Sequence, residues 1–127
     1  MTEAPEARPG TVVAAWNAVR ELSPDLVDKD LVEAAHADEV IRSLFPLVSH
    51  GSLQFSRCSK FPWSHDLPSV FPNWGAGFVI RRLYEPGNST IGLAASAEEA
   101  VAMVRANLPA GCGPAIDGTP DELPPLI

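Results

Sequence analysis

At 127 residues, 46% hydrophobic and 20% charged, the chain has the length of one domain with a real core and is too apolar for a disordered one. No stretch approaches the ~18 apolar residues of a membrane helix, and the polar opening MTEAPEARPG is unlike a signal peptide, so a cytoplasmic protein is expected. A formal net charge of −7 disfavours nucleic acid and anionic lipid as partners, and two cysteines without CxxC spacing exclude a disulfide framework.

Residues 1–10 read as a flexible tail ahead of a single domain spanning 11–109. Thr11 can cap a helix to about Leu22, with Val12, Trp16 and Val19 on one stripe, and Ser23-Pro24 stops it. A second helix begins near Asp28 or Asp30, where Asp30-Leu-Val-Glu33 has capping-box spacing and Leu31, Ala34 and Ala35 form the apolar face. Asp38 interrupts that stripe. A break is therefore expected around His36-Ala-Asp, followed by a short helix through Val40, Ile41, Leu44 and Phe45 that Pro46 ends.

Beyond Pro46 the period changes from helical to alternating. Leu53 and Phe55 alternate with polar residues in Ser52 to Cys58, which predicts a half-buried strand. Lys60 to Trp74 carries Pro62, Pro68 and Pro72 and leaves room only for a brief extended piece at Ser69-Val70-Phe71. Phe78 to Tyr84 and Ser89 to Ala95 form a hairpin across Glu85-Pro86-Gly87-Asn88. Ser96-Ala-Glu-Glu99 then opens a helix through Ala100, Val101, Val104 and Leu108, and residues 110–127 read as an irregular tail. This order predicts an α+β fold: a small antiparallel sheet of three to four strands, with the N-terminal helices and one C-terminal helix packed on one face.

Charge is unevenly spread. Arg42, Arg57, Lys60, Arg81 and Arg82 face one acid, Asp66, between residues 42 and 84, so that segment is +4 and the remainder −11. Arg57, Lys60, Arg81 and Arg82 beside Trp63 and Trp74 would suit an anion on a flat or apolar body, through bidentate hydrogen bonds and cation–π contact. The plainer reading is that these bases pair with the protein's own acids and the aromatics fill the core. A long polyanion such as nucleic acid fits neither.

His50 and His65 are the candidate acid–base groups, His65 being next to Asp66, and Cys112 between glycines is a candidate nucleophile. Turn histidines and a small half-buried cysteine account for the same residues without chemistry. His36, His50, His65 and Cys58 are metal-ligand types at spacings that match no zinc pattern. With no GxGxxG, P-loop, GxSxG or HExxH, no metal and no cofactor is expected. Trp16 with Val12 and Val19, and Met103 with Val104, read as core.

Three stretches, LVEAAHADEVIRSLFPLVSHGSLQFSR (31–57), FPWSHDLPSVFP (61–72) and AASAEEAVAMVRANLPAGCGPAIDGT (94–119), resemble an actinobacterial family of unknown biochemical role labelled natural-product biosynthesis protein. The most specific pieces are LFPLVSHGSLQFSR and LPAGCGPA. Where members more often carry a second proline, this chain has Ala110. The resemblance implies an accessory protein of a bacterial secondary-metabolite pathway and transfers no catalytic residue. Two functions are expected on this basis: binding of an anionic small-molecule intermediate or an acidic carrier or precursor-peptide partner, or a small cofactor-independent enzyme of cyclase, isomerase or hydrolase type. A homo-oligomer is compatible with either.

Overall fold

The computed structural model describes residues 10–73, 76–82 and 89–124. Helix α1 (Gly10–Arg20) turns Trp16 and Val19 inward, the stripe that its spacing predicts. Helix α2 (Lys29–Ala37) starts at Asp28, whose carboxylate accepts the Leu31 N–H at 2.9 Å, and buries Leu31, Val32 and Ala35. The expected break falls at Asp38. Its Oδ1 accepts the N–H groups of Val40 (2.9 Å) and Ile41 (3.1 Å), a local alternative to continuing the helical ladder.

Residues 40–46 differ from expectation. The chain makes only a 3-10 turn at Ile41–Ser43, and Phe45, instead of closing a helix, opens strand β1 (Phe45–Ser49) with Pro46 inside it. A proline is tolerated because β1 is an edge strand, with a ladder to complete on one side only. The sheet therefore has five strands, not three to four. Strands β1, β2 (Ser52–Ser56), β3 (Ser69–Pro72), β4 (Phe78–Arg81) and β5 (Thr90–Ala94) lie in sequence order, each antiparallel to the next.

His50 and Gly51 join β1 to β2 with φ of 50° and 82°. Two positive φ values in a two-residue connection match the right-handed twist of a hairpin, and His50 links strand to strand. Gly77, at φ 68°, leads into β4 so close to β5 that a Cβ there would lie 2.0 Å from the Ala94 carbonyl oxygen. The turn 85–88, Trp74 and Tyr84, together with the tail 1–9, lie outside the described residues.

Pairing of Leu53 with Val70, Val70 with Ile80 and Ile80 with Gly92 puts these positions on one sheet face. Trp16, Leu31, Val101 and Val104 pack with them in a single core, so the helices cover that face. Helix α3 (Ala97–Ala106) begins as read: Ser96 Oγ accepts the Glu99 N–H, and Glu99 reaches back to the Ala95 N–H. After α3 the described chain carries only a 3-10 turn (Pro120–Glu122), but it is not loose. Ala115 donates to Ser43 O, Ile116 N–H to Arg57 O, and Lys60 N–H to Gly118 O, extending the end of β2 by an isolated parallel bridge between Cys58 and Ile116. Among the described residues no helix is long and apolar enough to cross a membrane.

Candidate functional site

Among the described residues, the basic and aromatic candidates in the middle of the chain have separate partners. Arg57 is 9% exposed and binds Asp66 Oδ2 through Nε (3.0 Å) and Nη2 (2.6 Å). Its loop hangs from β2 by Ser64, whose N–H donates to Ser56 Oγ and whose Oγ accepts the Arg57 N–H, both at 3.0 Å. Arg82 donates to Asn107 Oδ1 at the end of α3, and Arg81 stands exposed with its guanidinium 5.9 Å from the centre of the Phe71 ring. Lys60 is exposed. Trp63 packs edge-on against Phe61 at 5.2 Å, and its Nε1, like Asp66 Oδ1, is buried without a hydrogen-bond partner among the described residues. One is a donor and the other an acceptor, the needs that internal water meets. Trp74 lies outside the described residues.

The acid–base candidates are also dispersed. His50 is in the turn before β2, while His65, at φ 52°, sits in the loop tied to the other end of that strand, and both are exposed. At about 3.3 Å per residue, five strand residues keep the two rings well apart. Cys112 is a free, half-buried thiol pushed above its ordinary pKa chiefly by burial, with Arg57 pulling down and Asp66 pushing up. That is the opposite of what activates a nucleophile. Cys58 is buried and free, beside Ser56. Among the described residues, no group of three or more His, Cys, Asp or Glu is placed to hold a metal ion.

A different set of residues does converge. Val12, Val13 and Trp16 of α1, His36 at the end of α2, Arg42 in the 3-10 turn, and Pro114 enclose a cavity of about 350 Å³, large enough for a small molecule and mostly apolar. Trp16 is fixed by its Nε1 donating to Leu44 O at 2.9 Å, and His36 meets its ring edge-on at 5.6 Å. Burial, together with Arg20 and Arg42, holds the imidazole below the ordinary histidine range, against a smaller pull from Glu33. Arg42 Nη1 donates to the His36 (3.0 Å) and Ala37 (3.5 Å) carbonyls, closing the end of α2. Among the described residues Arg42 has no carboxylate partner.

A second cavity, about 330 Å³, adjoins the first and shares Glu39, Ser43 and Pro114 with it, running on past Leu44 to Cys112. The two cavities lie side by side, with the Gly113-Pro114-Ala115 segment along them. This site is not apparent in the sequence, where Arg42 counts only toward the basic segment, His36 figures only as a metal-ligand type, and Trp16 reads as core. The Trp16 ring is indeed 1% exposed, yet it also lines the groove. A wider cleft, about 610 Å³, opens between the starts of α2 and α3, but its charged lining is Asp28, Asp30, Glu33 and Glu98, which would repel an anion.

Fold and groove together define a small α+β protein with a largely apolar groove that Arg42, without a carboxylate partner among the described residues, lines. The chain belongs to DUF6193, a family of unknown function, which it matches over residues 10–119. No curated protein and no solved structure matches the chain.

Proposed function

We propose that this is a non-catalytic accessory protein that binds a small anionic intermediate with an apolar body, and that it does so in the Trp16–His36–Arg42 groove and not on the basic loop. The observation that carries this reading is Arg42: a guanidinium lining an apolar cavity, with only main-chain carbonyls as partners among the described residues. Beside Trp16 and Val12, the exposed Arg42 can give a bound carboxylate or phosphate charge-assisted hydrogen bonds that the loop's Arg57, already bonded to Asp66, cannot offer.

A place in a bacterial secondary-metabolite pathway is part of the proposal. It rests on the resemblance carried by LFPLVSHGSLQFSR and LPAGCGPA, and the second of these contributes Cys112, Pro114 and Ala115 to the groove wall. Calorimetric titration with 3-phenylpropionate, a minimal anion on an aromatic body, tests the site. Arg42→Gln should weaken binding about tenfold, the loss of one charge-assisted contact, while Arg81→Gln leaves it unchanged. The reverse pattern would move the site to the sheet.

A further inference from the structure

The groove holds a second charge. Glu39 lines both cavities, three residues before Arg42, and its carboxylate has no hydrogen bond or ion pair among the described residues. Nearby acids are otherwise engaged: Glu33 is paired with Arg20 at 3.0 Å, and Asp38 caps the 3-10 turn and binds Arg105 at 3.1 Å. Arg42 and Glu39, neither with an ion partner among the described residues, therefore present a cation and an anion to the same space, beside His36 and Ser43. The Ser43 hydroxyl donates to Val40 O at 2.6 Å, so it faces a ligand as an acceptor. Direct pairing of Glu39 with Arg42 across exposed side chains would contribute only about 0–1 kcal/mol, so a ligand that engages both is not opposed by a strong internal bridge.

We infer that the groove is built for a zwitterionic, amino-acid-like group: an anionic end on Arg42, an ammonium or amide donor toward Glu39 and Ser43, and an apolar side chain on Trp16, Val12 and Val13. The ligand class is thus an amino acid or an amino-acid-derived intermediate and not a simple organic acid. This rests on the groove being the binding site, as proposed above.

The experiment compares L-phenylalanine, 3-phenylpropionate and 2-phenylethylamine by calorimetry or NMR titration on the full chain in low salt, with Glu39→Gln and Arg42→Gln. L-phenylalanine should bind about tenfold tighter than either single-charge probe. Glu39→Gln should bring it down to the level of 3-phenylpropionate without weakening that acid, and Arg42→Gln should weaken both. Equal binding of L-phenylalanine and 3-phenylpropionate, with Glu39→Gln silent, would overturn the zwitterion inference and leave the anion-binding groove standing. Failure of all three probes to bind at up to about 10 mM, a bound far weaker than a dedicated site, would overturn both. Far-ultraviolet circular dichroism and melting of each variant establish that it is folded before affinities are compared.

Discussion

The proline loop and the groove divide the chain's aromatic and charged residues in opposite ways. In the loop, Arg57 is buried and bidentate on one oxygen of Asp66, Ser64 is bonded twice to the end of β2, and the neighbouring chain 115–118 is stitched alongside. Charge there holds the fold. In the groove, Arg42 and Glu39 have no ion partner among the described residues, and the aromatic beneath them is locked by a hydrogen bond to Leu44. Charge there is available. The loop around Arg57 is thus a hydrogen-bonded knot, while the groove forms where three distant segments meet.

The largest expected effect breaks the groove from below. Trp16→Ala removes a ring that is 1% exposed and bonded to Leu44, and should lower stability by about 4 kcal/mol, measured by urea unfolding. Next, Asp66→Ala leaves the Arg57 cation buried and unpaired and should lower stability by about 3 kcal/mol while leaving groove affinity unchanged. If the same change abolished binding without loss of stability, the roles of the two regions would be exchanged.

His36 sharpens the contrast through pH. Its folded pKa is depressed, so just below the ordinary value near 6.5 the unfolded chain binds more protons than the folded one, and stability must fall as pH drops through that range. His36→Gln should flatten that limb of a stability–pH profile. A separate loss below about pH 4 should survive, because the carboxylates of Glu33 and Asp38 are held low. Trp63→Phe, which removes the unpartnered donor and keeps an aromatic ring, should change stability by less than about 1 kcal/mol and affinity not at all. The smallest effect concerns Cys112: with its thiol pushed up by burial, alkylation by iodoacetamide at pH 8 should be slower than that of free cysteine.

Much of the fold was legible because its signals are local. The Ser96–Glu99 cap and the Trp16/Val19 stripe each sit within one element and have one physical reading, whereas the Leu53/Phe55 alternation located β2 but not its burial, because Ser52 and Ser56 on the other face are buried too. Strand β1 was hidden by Pro46, a residue that ends helices and interior strands but is harmless on an edge, and edge position is a property of the sheet and not of the segment. The groove was not legible for a similar reason. Residues 12–16, 36–43 and 112–115 become neighbours only after α1, α2 and the late chain have packed, and whether Arg42 or Arg57 finds an acid depends on which acids the fold delivers. Only the LPAGCGPA stretch gave a sequence-level pointer to that wall.

The most direct measurement is a two-dimensional NMR titration of the labelled protein with 3-phenylpropionate, reading the indole signals of Trp16 and Trp63 and the guanidinium signals of Arg42 and Arg57 in one spectrum. Movement of Trp16 and Arg42, with Trp63 and Arg57 unmoved, is the expected result. Movement of Trp63 and Arg57, with Trp16 and Arg42 still, would contradict a groove site and return binding to the loop.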